Sequence, residues 1–283
     1  MNQVSPPTRT LAGRTLFITG ASRGIGLAIA LRAGRDGANV VIAAKTVEPH
    51  PKLEGTIHSA ARDIAAMGGN ALPLALDVRD AEAIETAVET AARHFGGIDI
   101  CINNASAIHL GDTRQVDAKR FDLMHQVNAR AAYLVSRACV PWLINSQNPH
   151  ILMLSPPLDL RPEWFAPHLP YSLSKFGMSI VALGLAEEFR SAGIACNALW
   201  PATTIATAAV RYAFGGERAL RRARKPAIMA DAAHEVLCSD ARSMTGRFLL
   251  DEDVLRNAGV QDFDAYQYAP GETLTRDLFV AAR

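Results

Sequence analysis

Tyr171 and Lys175 stand four residues apart at the start of a predicted helix, which puts a phenol and an ammonium on one helical face. Alone, such a pair is ordinary surface chemistry, and its meaning comes from its company. The run Thr19-Gly20-Ala21-Ser22-Arg23-Gly24-Ile25-Gly26 follows the apolar stretch Leu16-Phe17-Ile18 and predicts a phosphate cradle. A buried strand that ends in spaced glycines turns sharply, brings its backbone against a pyrophosphate and opens a helix whose N-terminus faces the anion. Three further polar sites join them: Asn103-Asn104-Ala105, Asn128 and Ser155.

These residues need elements to carry them to one place, and the hydrophobic pattern supplies an alternation of strand and helix. After the glycine loop it predicts a helix over 25–36, a strand over 39–44, a helix over 59–67 and a strand over 71–76. It continues with a helix over 80–94, a strand over 98–102, one long helix over 117–144, a strand over 150–154, a helix over 171–191 and a strand over 194–199. Short strands without polar alternation are buried on both faces, as in a parallel sheet covered by helices. The expectation is an α/β fold, a doubly wound parallel sheet of Rossmann type in a single domain. In such a sheet Asn103, Asn104, Ala105, Ser155 and the glycine loop all converge on the carboxyl edge. Two segments fall outside the alternation, 46–58 and 201–226, and excursions beyond that edge tend to cover ligands. The expected organisation is a flexible arm over 1–13, the main domain over 14–250 with a lid over 201–226, and a C-terminal extension over 251–283 packed on the same domain.

Bulk properties exclude several classes of partner. Twenty-nine basic residues against twenty-eight acidic ones give a formal net charge of +1, so no global field draws nucleic acid or an anionic membrane surface. A hydrophobic content of 49% suits a full core. The apolar helical region over 131–144 is interrupted by Arg137 and Pro141, and no membrane span is expected. Cys101, Cys139, Cys196 and Cys238 lie far apart, and no histidine pair has metal-ligand spacing, so neither a disulfide framework nor a metal site is expected. Unpaired thiols fit a reducing compartment, and a cytoplasmic location is the expectation.

With these residues in view the sequence resembles the short-chain dehydrogenase/reductase family. Gly20, Gly24 and Gly26 match its glycine motif, Asn103-Asn104-Ala105-Ser106 its Asn-Asn-Ala-Gly motif with serine in the last place, and Tyr171 with Lys175 its Tyr-x-x-x-Lys. The segments Ala44-Lys45-Thr46, Ser155-Pro156-Pro157, Asn197-Ala198-Leu199-Trp200-Pro201 and Asp262-Phe263-Asp264 resemble its hydroxysteroid dehydrogenase-like subgroup nearly end to end. Some members of that subgroup carry a sterol-carrier-like domain, for which this chain is too short. The resemblance implies hydride transfer between a nicotinamide and a substrate carbon, with Tyr171 as proton donor or acceptor. Lys175 would hold the nicotinamide ribose and lower the phenol pKa, and Asn128 would position a water through its backbone carbonyl. Gly20, Ala21, Ser22, Arg23, Gly24, Ile25 and Gly26 would line the pyrophosphate. Asp77 and Val78 would meet the adenine, Asn104 and Ala105 the adenosine ribose, and Thr204 and Thr207 the nicotinamide carboxamide or pyrophosphate.

One position departs from the family pattern. Its serine after the fifth strand is usually the second of a Ser-Ser pair, and here the pair reads Ser155-Pro156. Proline has no hydroxyl, so the role passes to Ser155, with Ser172, Ser174 or a backbone group as alternatives. Cofactor choice follows from charge: the second strand ends in Ala44-Lys45 with no carboxylate for a ribose hydroxyl, and Arg23 approaches the same place. Two cations suit a ribose phosphate, which predicts NADP(H). The basic run Arg218, Arg221, Arg222, Arg224 and Lys225 reads as a solvated helical face, with an anion site for acyl-coenzyme A phosphates as the alternative. Trp164, Phe165 and His168 are placed to wall a substrate.

The expected function is NADP(H)-dependent interconversion of an alcohol and a carbonyl on a small or lipid-like substrate by a homodimer or homotetramer. A cofactor-binding redox sensor or scaffold with little turnover is the alternative that Pro156 favours. A Rossmann methyltransferase would leave Tyr171 and Lys175 without a task.

Overall fold

A computed structural model describes residues 9–51 and 53–281. Seven parallel strands form one sheet in the order β3-β2-β1-β4-β5-β6-β7. They are β1 (Thr15–Thr19), β2 (Asn39–Ala44), β3 (Asn70–Ala75), β4 (Ile100–Asn103), β5 (His150–Met153), β6 (Ala195–Trp200) and β7 (Phe248–Leu250). The chain starts in the middle, winds outward to β3, then returns past β1 and winds the other way, which is the doubly wound arrangement expected from sequence. β1, β4, β5 and β6 are buried along their whole length because helices cover both faces. β3 is the exposed edge, and it tolerates Pro73 because an edge strand leaves one side of its ladder unpaired.

The first helices are α1 (Gly24–Arg35), α2 (Ile57–Ala66) and α3 (Ala81–Phe95). Local signals set their ends. Thr56 and Ser59 cap α2 reciprocally, and the Asp80 carboxylate accepts from Glu82 N and Ala83 N to start α3. The predicted helix over 117–144 is three pieces: α4 (Ala118–His125), a π-helical turn at Gln126–Arg130, and α5 (Ala131–Leu143). The wider turn centres on Asn128, which is fully buried and whose side-chain hydrogen bonds hold the bulge open.

α6 (Leu169–Glu188) follows β5 and carries Tyr171 and Lys175. It is long and apolar enough to cross a membrane by length and composition, contrary to the sequence expectation of no such span, but 61% of that stretch is buried inside the fold. The segment over 201–226 holds α7 (Ala208–Ala213) and α8 (Glu217–Arg221), and α9 (Ala227–Leu237) then packs on α1. β7 and α10 (Asp251–Asn257) close the sheet, and the chain then crosses back over the carboxyl edge to residue 281.

The expected flexible arm needs correction where it is described. Residues 1–8 lie outside the described residues, but Leu11 is buried, its N–H donates to Asp36 at 2.8 Å, and Arg9 pairs with Glu235. The Leu11 side chain, the backbone N–H groups of Leu11 and Gly13, which donate to Asp36 and to the Gly37 carbonyl, and the Arg9 ion pair thus fasten residues 9–13 to the domain.

Gly26 fixes how closely α1 approaches the crest of the sheet. A Cβ there would stand 2.4 Å from Asn104 Nδ2 and 2.7 Å from the Gly20 carbonyl oxygen. The amide end can swing aside, but the carbonyl belongs to the loop backbone. Gly26→Ala is therefore expected to cost about 2 kcal/mol of unfolding free energy, read from urea denaturation midpoints, and to weaken dinucleotide binding in the same preparation.

Candidate active site

The site grows from the tips of β1 and β4. Thr19 Oγ1 accepts from Asn104 N and Ala105 N, both at 3.1 Å, and Asn104 Nδ2 donates to the carbonyls of Thr19 and Gly20 at 2.9 and 3.1 Å. These bonds hold the loop after β1 open above β4. Gly20 has φ +68, and a Cβ on it would meet Ala105 Cα at 2.9 Å, so no side chain fits there. Arg23 precedes α1 in an extended conformation without a side-chain cap, which leaves the first N–H groups of α1 facing outward.

An elongated cleft of about 1100 Å³ opens over this loop. Of the residues expected to bind cofactor, Gly20, Ser22, Arg23, Gly24, Ile25, Lys45, Asp77, Val78, Asn104, Ala105 and Thr207 line it. Ala21 and Gly26 are buried beneath it as spacers. Thr204 turns elsewhere: it is 4% exposed and its hydroxyl donates to the Thr275 carbonyl. That placement corrects the expectation for Thr204, whose neighbour is the C-terminal extension. Arg23 donates to the carbonyls of Glu54 and Gly55 at 2.9 and 2.8 Å, which ties the segment over 46–58 to the cleft and fixes the guanidinium at its rim. Lys45 is exposed at the same rim and helps to lower the Asp77 pKa, although the main cause is the paired Arg79 guanidinium.

The expected catalytic residues lie together beyond one end of this cleft. Asn128 donates to Ser174 Oγ at 2.8 Å and to the Ala107 carbonyl, and Ser174 Oγ donates to the Tyr171 carbonyl, so the π turn and the first turn of α6 are bolted together. Lys175 Nζ donates to the Leu154 carbonyl at 2.7 Å and sits 5.2 Å from the centre of the Trp200 ring. Ser155 is fully buried, and its hydroxyl has no hydrogen-bond partner among the described residues. Ser172 donates to the Trp164 carbonyl, and the Pro156 carbonyl accepts from Ser179. Trp164 and Phe165 pack in the apolar cluster around Tyr171, Phe176 and Trp200, as a wall beside the phenol.

Burial controls the charges. It raises the Tyr171 phenol above its ordinary value, with the Asp277 carboxylate adding to the effect, so the phenol is protonated at neutral pH. It pushes Lys175 down to about 7, against a smaller opposing pull from Asp277. Asp277 and Asp251 are each pushed up to about 7, chiefly by burial. Sequence reasoning missed both carboxylates and Phe279, which lies over Tyr171 with ring centres 6.2 Å apart. No local signal reveals them, because they reach the site through the fold of the C-terminal extension.

Of the basic run, Arg218, Arg221 and Lys225 are exposed, as a solvated face requires, and Arg224 departs from that reading. Arg224 is buried and donates to Glu252 and to the Phe263 carbonyl. Arg221 pairs with Glu272, Arg222 donates to the Thr273 carbonyl, and Lys225 donates to the Ala265 carbonyl. These side chains tie the C-terminal extension to the stretch over 221–225.

The short chain dehydrogenase family pattern matches residues 14–215. Hydroxysteroid dehydrogenase-like protein 2 of Danio rerio is 56% identical over 273 residues, which cover 96% of this chain and 65% of that protein, so the chain spans less than two thirds of that relative. A crystal structure of a short chain dehydrogenase from Mycobacterium thermoresistibile superposes with a TM-score of 0.91 at 53% identity, covering 96% of this chain and 97% of that one. A metagenomic short-chain oxidoreductase crystallised in complex with NADP superposes with a TM-score of 0.70 at 28% identity, covering 85% of this chain and 97% of that one.

The Asp251 carboxyl offers a test of these electrostatics by stability. It is fully buried; Oδ1 accepts from Ala202 N and Glu252 N, while Oδ2 has no partner among the described residues. Its pKa rises from 3.8 to about 7 on folding, so the folded protein keeps a proton that the unfolded chain releases. The associated stability is complete below about pH 4 and is lost as pH climbs through about 7. Asp251→Asn keeps an acceptor for both N–H groups and removes the charge. It should raise the unfolding free energy by about 2 kcal/mol at pH 8 and change it little at pH 4, measured by urea denaturation.

Proposed function

The chain belongs to the short-chain dehydrogenase family, and we propose that it is an NADP(H)-dependent oxidoreductase interconverting an alcohol and a carbonyl on a small or lipid-like molecule. The observation that carries this reading is the placement of Tyr171 and Lys175 on α6, packed against the Asn128 π turn, directly beyond a glycine-lined cleft. The cleft fits a dinucleotide: at Gly20 the space a side chain would need is already filled by Ala105, and the α1 N-terminus faces the opening. The loop from Gly20 to Gly26 would hold the pyrophosphate, Asp77 and Val78 the adenine, Asn104 and Ala105 the adjoining ribose, and Lys175 the nicotinamide ribose. Bound there, the nicotinamide supplies or accepts the hydride.

The protein's own task is the proton. Tyr171 is held protonated and can donate to a carbonyl oxygen as charge develops on it. Lys175 brings positive charge to the phenol from the next turn of the same helix and disperses the negative charge left behind. Asn128 sits in the π turn, and its backbone carbonyl would position a water for reprotonation. Ser155 brings a hydroxyl to the tip of β5, and Pro156 beside it favours the second reading, a redox sensor or scaffold with little turnover.

The ribose phosphate is the natural occupant of the rim between Arg23 and Lys45, where no carboxylate ends β2. The NADP complex of the 28% identical neighbour supports the same choice. A homodimer or homotetramer is supported by α6, whose Leu169, Leu173, Ile180 and Leu183 leave an exposed apolar stripe at helical spacing. Work in a reducing compartment such as the cytoplasm suits the unpaired thiols of Cys101, Cys139, Cys196 and Cys238.

Calorimetric titration should give NADPH at least a tenfold tighter Kd than NADH, about 1.4 kcal/mol, and Lys45→Ala should remove most of that margin by weakening NADPH alone. Equal affinities in the native protein would reject the phosphate reading. Turnover separates enzyme from sensor. Across a panel of ketones and aldehydes, Tyr171→Phe should retain fold and NADPH affinity while losing nearly all reduction, whereas Lys175→Ala should damage both binding and rate. Wild-type rates in Tyr171→Phe would overturn the assigned proton donor.

A further inference from the structure

The cofactor cleft is open, but its catalytic end is filled by the protein's own chain. Tyr171 is 5% exposed and Lys175 2% exposed, and neither lines the cleft. What covers them is the segment over 276–280. Its approach is a short antiparallel pairing along the stretch that follows β6: Thr204 N donates to the Thr275 carbonyl at 2.9 Å, Arg276 bridges Thr203, and Asp277 N donates to the Ala202 carbonyl at 3.2 Å. Trp200 Nε1 then donates to the Leu278 carbonyl at 2.8 Å. Past that bond the tip is held by packing. Phe279, 3% exposed, lies between Tyr171, Phe176 and Trp200 with ring centres 6.2, 5.3 and 6.0 Å away, and Val280 fills the same cluster.

Phe279 has φ +65, the only non-glycine residue in the left-handed region among the described residues. A bulky side chain rarely adopts that conformation, and it persists where surrounding contacts outweigh its strain. The strap is thus well anchored at its base and strained at its tip. The tip occupies an apolar chamber walled by Trp164, Phe165 and Leu110, into which the Tyr171 ring also packs. A chamber of that make-up is where the apolar body of a carbonyl compound would have to lie for its oxygen to reach the phenol.

We propose that Phe279 and Val280 occupy the seat of the substrate's apolar body, so that the strap is an internal competitor and the substrates are ketones or alcohols with an aromatic or branched apolar body able to displace it. This rests on the oxidoreductase reading above for the chemistry, but the displacement itself is a binding event. The hinge is the stretch after Asp277. The paired bonds at Thr204 and Ala202 stay, while the Trp200 bond to Leu278 and the ring contacts of Phe279 are given up and the strain at Phe279 is released. Small carbonyl compounds lack the apolar surface to replace what the two side chains bury, so the strap also selects against them.

2-Acetylnaphthalene is a suitable probe, added with NADP+ so that no reduction occurs. In the native protein, saturating probe should raise hydrogen–deuterium exchange of the amides over 278–280 at least tenfold and leave that of Thr204 unchanged. Phe279→Ala should bind the probe at least tenfold more tightly than the native chain, with folding checked by circular dichroism. Unchanged exchange over 278–280 with the probe bound would overturn the proposal, and so would equal affinities for native protein and a folded variant, or no binding by either. If Phe279→Ala fails to fold, the exchange measurement on the native chain decides alone. Probe binding with strap release, followed by no reduction of the probe by NADPH or NADH in either protein, would reject the oxidoreductase reading while the strap stands.

Discussion

Everything at this site depends on the knot between Thr19 and Asn104. One threonine hydroxyl accepts two backbone N–H groups from the chain leaving β4, while one asparagine amide reaches back to two carbonyls of the chain leaving β1. The two strands are neighbours in the sheet, yet the connections that follow them run to opposite sides. Such a point opens a crevice in any doubly wound sheet, and without fastening the two loops would be free to collapse into it. The knot uses polar groups that would otherwise be buried without partners, so the crevice stays open at little cost in unsatisfied hydrogen bonds. The absence of side chains at Gly20 and Gly26 then lets α1 and the loop settle onto the knot at backbone distance.

The other end of the site depends on the C-terminal extension. Arg224 inserts its guanidinium between Glu252 and the Phe263 carbonyl, with Phe263 stacked 5.3 Å away, and the neighbouring cations tie down the stretch over 265–273. A buried ion pair of this kind is a poor source of net stability, but it is demanding in geometry. It sets where the chain crosses the carboxyl edge and therefore where Phe279 and Asp277 arrive. The stretch over 221–225 and the tail are thus joined, with Arg224 as the pin, and the pin sets the path by which the tail reaches Tyr171.

The central machinery was legible in the sequence because it is local. A glycine loop after an apolar strand, a Tyr and a Lys one helical turn apart, and short unalternating strands each carry their physics within a few residues. What was not legible is long-range. The π turn at Asn128 needs Ala107 and Ser174 to hold it, and neither is near in sequence. β7 is only three residues long and half-buried, too short to show a period. The basic run has the spacing of a solvated face, and only the returning chain supplies its carbonyl and carboxylate partners. Thr204 lies in the expected segment, but residues more than seventy positions later claim its backbone and hydroxyl. The same return places Asp277 and Phe279 at the site with no motif to announce them.

Burial at the catalytic end, to which the strap contributes, also acts on charge, in two directions at once. It raises the phenol of Tyr171 and lowers the ammonium of Lys175, because in each case the uncharged form loses less on leaving water. In the closed state, then, the positive charge that should draw a proton from the phenol is weakest where the phenol holds its proton most tightly. Asp277 sharpens the contrast for Tyr171, since its carboxylate disfavours a neighbouring phenolate. The ligand that takes the strap's place then sets both shifts: an apolar body keeps the phenol protonated, while a polar group brought beside Lys175 favours the ammonium and lowers the cost of phenolate. Access and acidity are coupled through the same few side chains, so a ligand that moves Phe279 changes the electrostatics of proton transfer as well as the room available for it.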